Sequence, residues 1–342
     1  MTKILITGGA GFIGVNSAEY FLNKGWEVVI FDNFSREGAD LNRAFLEDNF
    51  KSGMEIVEGD IRTDTKLLTK LCDDSDVVLH LAAQVAVTTS LTDPRTDFDT
   101  NALGTFNVLE AVRASKNQPI ILYASTNKVY GGLEDLPVEE GEKRYSFAGD
   151  REGVSEEQNL DFHSPYGCSK GAADQYVRDY SRIYGLRTVV LRQSCIYGPH
   201  QMGIEDQGWV AWFMIAAMLG KPVTIYGNGK QVRDLLYIDD LVAAYATCIE
   251  KIDTASGQIF NLGGGPGNTL SLIEFLNQME EMGMEVNYSF GDTRPGDQPI
   301  FISDNSKAEK ILGWKQETNV EQGLKKLLDW LKENKSTIET LY

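Results

Sequence analysis

The chain of 342 residues is long for one core and comfortable for two joined subdomains. Its hydrophobic content of 42% and charged content of 24% are ordinary for a soluble globular protein, and a net charge of −18 disfavours nucleic acid, whose phosphates need a basic surface. Cys72, Cys168, Cys195 and Cys248 are scattered without a CxxC pair, and His80, His163 and His200 do not pair at ligand spacing, so free thiols and no metal are expected.

Met1-Thr2-Lys3 runs straight into the apolar run Ile4-Leu5-Ile6. No signal-peptide pattern precedes it and no apolar run reaches the ~20 residues of a membrane span, which predicts a cytoplasmic protein with no membrane partner. Buried strands are predicted at Ile4 to Ile6, Glu27 to Phe31, Met54 to Val57, Val77 to Leu81, Ile120 to Tyr123 and Thr188 to Leu191. Helical patterns, such as Asn16 to Lys24 and Thr105 to Ala114, lie between them. This alternation predicts an α/β fold, a doubly wound parallel Rossmann sheet with helices on both faces. Past Arg192 the alternation loosens, with helices near Val210 to Leu219, Ser271 to Glu281 and Val320 to Glu333. The expected division is a dinucleotide-binding domain over 1–192 and a smaller α/β substrate-binding subdomain over 193–342, with a segment near 231–262 returning to the sheet. Between Gly132 and Phe162 runs a polar, acid-rich connection, long for a compact domain: a solvated excursion, a flap over the substrate or a subunit contact.

Thr7-Gly8-Gly9-Ala10-Gly11-Phe12-Ile13-Gly14 follows the first strand and opens the first helix. Gly8, Gly11 and Gly14 suit a tight turn, a close approach to a pyrophosphate and close helix packing, and the helix N-terminus at Phe12 and Ile13 faces the phosphates. The second strand ends at Phe31-Asp32, with Asn33 next to it as a further cofactor contact, and an acid there accepts a ribose 2′-hydroxyl but repels a 2′-phosphate, so NAD is expected over NADP. Arg36 lies close in sequence and is the feature that would suit NADP instead. Asp60, before Ile61 at the end of the third strand, either accepts the adenine amino group or caps a turn.

Tyr166-Gly167-Cys168-Ser169-Lys170 puts a phenol and an ammonium one turn apart on one helix face. A free tyrosine with a pKa near ~10 is a poor base at neutral pH, so the pair is expected to work by Lys170 and a positive nicotinamide pulling the phenol down.

These motifs together resemble the extended short-chain dehydrogenase/reductase family of NAD-dependent epimerases and dehydratases. The likeness continues in His80-Leu81-Ala82-Ala83 and in Asn101 with Gly104-Thr105, and it implies that Leu81, Ala82, Ala83 and Asn101 line the cofactor; His80 reads as a packed strand end. In Ala124-Ser125-Thr126-Asn127-Lys128-Val129-Tyr130-Gly131, Thr126 takes the family's catalytic hydroxyl position, and Ser125 beside it is assigned to the cofactor. Dehydratases of the family carry an Asp-Glu pair where this chain has Asn127 and Lys128, so dehydration is disfavoured. Gly227 to Asp234 and Thr293 to Gln298 resemble the family's two nucleotide-sugar motifs, which implies that Arg233 and Arg294 grip the diphosphate. Cys195 stands where many relatives place an asparagine against that diphosphate. At finer grain Ser125 to Gly131, Leu160 to Tyr176, Gln84 to Ser90 and Asp206 to Val210 resemble the CDP-sugar 2-epimerases of the family. That branch implies a CDP-sugar substrate touched by Gln84, Thr126, Asn127, Gln207, Arg233 and Arg294, with Tyr166 as base and a homo-oligomer, dimer or tetramer. A 4-epimerase of a UDP-hexose or UDP-uronate is the alternative enzyme, and a non-catalytic NAD-binding sensor the alternative of another class.

Overall fold

The computed structural model describes residues 1–294 and 297–342; Pro295 and Gly296, the middle of the second arginine motif, lie outside the described residues. Seven of the described strands form the central sheet: β1 (Lys3–Thr7), β2 (Glu27–Asp32), β3 (Met54–Glu58), β4 (Val77–His80), β5 (Ile120–Thr126), β6 (Thr188–Gln193) and β7 (Ile259–Leu262). Their order is β7-β6-β5-β4-β1-β2-β3 and every pairing is parallel. Ile6 lies between Ile30 and Leu79 in register. Alternate residues feed two apolar layers. Ile4, Ile6, Val28, Ile30 and Leu79 pack on one face, while Leu5, Val29, Phe31, Val78 and Tyr123 pack on the other. Both faces are covered, which is why these strands read as continuous apolar runs. The chain order reverses between β1 and β4, where an open α/β sheet leaves a crevice beyond the carboxyl ends of its strands.

Three helices position the site: α1 (Phe12–Asn23), α2 (Gly104–Ala114) and α3 (Ser164–Tyr184). Helix α3 begins with a proline in its first turn and ends on Gly185, whose φ of 69° closes it in the left-handed region. In the C-terminal half, helices Leu272–Glu281 and Val320–Glu333 each open on a capping box, Ser271 with Glu274 and Asn319 with Gln322. Of the 231–262 stretch, Ile259–Leu262 is β7. The strand Val232–Asp234 instead pairs with Thr269–Ser271 and Ile300–Phe301 in a separate small sheet. Among the described residues no helix is long and apolar enough to cross a membrane.

The acidic connection keeps most of its charged side chains exposed but is docked on the body at several points. Its hairpin, Val138–Glu140 against Tyr145–Phe147, is tied to the substrate half by Tyr145 N to Lys230 O at 3.0 Å and by Lys230 Nζ to Glu140 at 2.7 Å. Further on, Val154 N donates to Ile302 O at 2.8 Å, and Asp161 N to Val129 O at 3.1 Å. Leu133, Phe147 and Val154 share a small core with Val129, Tyr130, Val232 and Phe301. The polar composition hid these few apolar anchors, which lie too far apart in sequence to show a period.

Candidate active site

The glycine loop turns from β1 into α1 as the spacing predicts. Gly8 has φ 70°, and a Cβ there would lie 2.7 Å from Ala82 N; one on Gly14 would lie 2.5 Å from Gly8 O. No side chain caps the first turn of α1, so its leading N–H groups remain open to an anion. Asp32 Oδ2 accepts from Ala10 N at 3.0 Å and Oδ1 from Phe34 N at 2.8 Å, which ties the tip of β2 to the loop. Burial pushes the Asp32 carboxyl up, against those backbone donors. This cradle fits a dinucleotide: side-chain-free backbone around the pyrophosphate place, open N–H groups and an acid at the end of β2. Arg36 is bonded to Gln207. Asp60 is closed on its own turn, accepting from Arg62 N at 2.8 Å and Asn33 Nδ2 at 3.1 Å and pairing with Arg62 at 2.6 Å. Those partners hold its carboxyl down at about 2, so the geometry is that of the turn cap. Ile61 is buried and its side chain occupies the space where a Cβ on Gly104 would lie. Leu81, Ala82 and Ala83 follow β4 and stay partly exposed beside the loop.

Helix α3 presents Tyr166, Lys170 and Asp174 on one buried face. Lys170 Nζ donates to Ala124 O at 2.6 Å and lies 4.4 Å over the Tyr123 ring. Burial pushes Lys170 down to about 7, against the pull of Asp174 and Asp97. Tyr166 is pushed up to about 12, chiefly by burial, and the opposing pull comes from the Thr126 side chain. Lys170 is not among the groups that lower Tyr166; its ammonium is turned to the Ala124 carbonyl. Thr126 ends β5 and caps the turn Asn127–Tyr130, accepting from Lys128 N at 3.2 Å.

Several expected contact residues are spent inside the protein. Asn101 sits in a π-helical turn, Asp99–Leu103, and gives its amide to Gln84 O, Asp97 and Ser169 while accepting from Gln84 N. The Gln84 side chain is held by Ala86 and by Asp97 at 2.9 Å. Ser169 Oγ donates to Asp97 at 2.5 Å. The side-chain amides of both Gln84 and Asn101 donate within the protein, to a hub at Asp97, a lone acid in a short helix with no motif to mark it. Ser125 likewise donates to Asp174 at 2.7 Å. Asp174 pairs with Arg192 at 2.9 and 3.0 Å, and Arg192 also donates to Tyr130 Oη at 3.0 Å. His80 is buried between Thr7 Oγ1 at 2.7 Å and Thr105 Oγ1 at 3.0 Å, and burial pushes it down to about 3. It is the packed strand end that was expected.

On the substrate side Arg233 pairs with Asp297 at 2.6 Å, and Arg294 pairs with Asp206 at 2.8 Å while stacking 3.9 Å over Tyr226. Gln231 Nε2 joins the two neighbourhoods, bonding Tyr226 O at 2.6 Å and Asp297 at 3.4 Å. Asp234, fully buried, anchors this strand through Ser194 Oγ, Gly265 N and Ser303 N. Cys195 takes a hydrogen bond from Trp209 Nε1 at 3.5 Å. Asn127 lies between Thr126 Oγ1 and Gln298, each at 3.4 Å.

Residues 5–327 match the sequence profile of the family described as GDP-mannose 4,6 dehydratase. The CDP-paratose 2-epimerase of Salmonella typhi is 44% identical over 337 residues, covering 96% of this chain and 98% of that protein. The dTDP-glucose 4,6-dehydratase DesIV of Streptomyces venezuelae, solved with NAD and TYD bound, superposes with a TM-score of 0.85 at 26% identity over the full length of both chains. The UDP-glucuronic acid 4-epimerase of Bacillus cereus, solved with UDP-glucuronic acid and NAD, has a TM-score of 0.82 at 31% identity over 97% of this chain and 99% of that one. The glycine cradle, the Tyr166–Lys170 helix and the Thr126 strand end therefore stand in a fold shared from end to end, and the chain belongs to the GDP-mannose 4,6 dehydratase family of extended short-chain dehydrogenase/reductases.

Proposed function

We propose that the protein is an NAD-dependent epimerase that inverts C2 of a CDP-linked hexose, converting CDP-paratose to CDP-tyvelose. The observation that carries this reading is the 44% identity, nearly end to end, with a CDP-paratose 2-epimerase. Asn127 and Lys128 support it, because no acid follows Thr126 to take a proton from carbon as a dehydration requires. The glycine loop, Asp32 and Lys170 would hold NAD, which when bound supplies the hydride acceptor and donor for C2. Tyr166, as phenolate, takes the C2 hydroxyl proton, and the Thr126 hydroxyl holds that oxygen. Arg233 and Arg294 keep the diphosphate in place while the 2-keto sugar turns its opposite face to the cofactor, and Tyr166 returns the proton to the C2 oxygen. The four free cysteines suit a reducing, cytoplasmic setting. Exposed Phe106, Tyr176, Ile183 and Tyr184 on α2 and α3, with Phe106 and Tyr176 edge to face at 6.0 Å, support a homo-oligomer joined through these helices.

Incubation with CDP-paratose in D2O is expected to form CDP-tyvelose with no deuterium on carbon. Deuterium placed at C2 of the substrate is expected to survive inversion. Solvent label at C2 would reject hydride chemistry. Inversion at C4 of a UDP-hexose or UDP-uronate, with CDP-paratose inert, would leave the chemistry standing and replace the substrate.

A further inference from the structure

One cation at the substrate end of the pocket has no acid of its own among the described residues. Lys128 lies two positions past Thr126, in the turn Asn127–Tyr130. Its Nζ reaches Gln298 Oε1 at a long 3.4 Å, and Asn127 Nδ2 shares that oxygen at the same distance. Gln298 cannot swing to improve the contact, being fully buried and bonded through Nε2 to Gly131 O at 2.5 Å. The turn is held as firmly. A Cβ on Gly131, at φ 69°, would lie 2.0 Å from Asp161 O, and one on Gly167 of α3 would lie 3.3 Å from Lys128 O.

The charged and titratable groups that face Lys128 are Arg233, Asp297 and the Cys195 thiol. Asp297 is the one acid of the three, and Arg233 already holds it at 2.6 Å. Arg233 with Asp297 is therefore neutral as a pair, and Lys128 leaves the pocket one positive charge in excess. Burial pushes Lys128 down to about 8, and Arg233 pushes the same way. A partly buried cation beside a second cation costs stability unless an anion completes the site. Lys128 follows Thr126 by two residues in the same turn and faces Arg233, the residue of the first arginine motif. An ammonium with three rotatable donors suits a phosphate oxygen there without demanding one geometry.

We infer that Lys128 is a ligand of the substrate's diphosphate, acting with Arg233 on the phosphate nearest the sugar. This rests on the nucleotide-sugar reading of the site. The test is calorimetric binding of CDP and of CMP, which lacks that phosphate, to wild type, Lys128→Met and Lys128→Arg. Lys128→Met is expected to weaken CDP about 10- to 100-fold, the range for loss of a charge-assisted contact, and to leave CMP within about twofold. Lys128→Arg is expected to recover most of the CDP affinity, and all three proteins to keep the same melting temperature and NAD content. Unchanged CDP affinity in Lys128→Met overturns the inference alone, as does an equal loss for CDP and CMP. A wild-type protein that binds neither nucleotide rejects the nucleotide-sugar reading, and the inference with it.

Discussion

Tyr166 and Lys170 stand one turn apart on α3, and burial favours the neutral form of both. The phenol is pushed up to about 12 and the ammonium down to about 7. The reactive form of Tyr166 is the phenolate, so turnover is expected to climb with pH across the neutral range, as the phenol loses its proton. A bound, positively charged nicotinamide shifts that climb to lower pH. Tyr166→Phe is expected to cut kcat by about 100-fold or more, the range for loss of a general base, and to flatten the climb. Its KM is expected to change little, because the phosphates do most of the holding. A steady-state pH profile of both proteins checks this, and near-normal turnover in the variant moves the base to another group. Tyr-x-x-x-Lys was legible because helix periodicity alone sets its geometry. The direction of the Tyr166 shift was not, since desolvation depends on what the fold packs around the ring.

Helix α3 is fixed from behind by one ion pair. Asp174 and Arg192 have side-chain exposures of 0% and 2%, and together they join α3, β6, Ser125 on β5 and Tyr130. Removing one partner strands the other charge in the interior, at a cost of roughly 3–5 kcal/mol. Asp174→Ala is therefore expected to lower the denaturation midpoint by that equivalent with an unchanged m-value. The double change Asp174→Leu with Arg192→Met is expected to recover much of the loss, because no lone charge remains. Equal destabilisation by the single and double changes would show that packing at this place, not charge, holds the helix. Nothing in the sequence marked the pair: Asp174 lies two turns past Tyr166, and Arg192 reads as one more residue of a buried strand. The packing of α3 against β5 and β6 brings them together.

At the scale of the whole molecule, one outer face of α2 and α3 stays apolar and exposed, with Ile183 at 65% and Tyr176 at 50%. Ile183→Glu with Tyr176→Glu is expected to shift the sedimentation of the protein toward the monomer at micromolar concentration. It should leave the melting profile of each subunit's core recognisable, since neither side chain is buried in the chain. Sedimentation identical to wild type would reject a homo-oligomer joined through these helices. The connection after Gly131 joins the end of β5 to the small sheet of the C-terminal half. Its apolar anchors pack Val129 and Tyr130, in the turn after Thr126, against Val232, the neighbour of Arg233, in one small core.

What the sequence determined by itself was local and periodic. Continuous apolar runs specified a parallel sheet covered on both faces, and Val320–Glu333 could be read to the residue because its cap and its period agree. The glycine loop, Asp32 and the Tyr166–Lys170 spacing were equally legible, since backbone sterics and one helical turn suffice to define them. Tertiary structure decided what those groups face. It bonded Gln84 and Asn101 to Asp97, closed Asp60 on Arg62, and docked an acid-rich connection through a handful of distant apolar side chains. It also set Lys128 beside Arg233, from segments a hundred residues apart in the chain. The reason is physical: a polar side chain's partner is chosen by proximity in space, and no spacing in one segment records which distant segment will arrive.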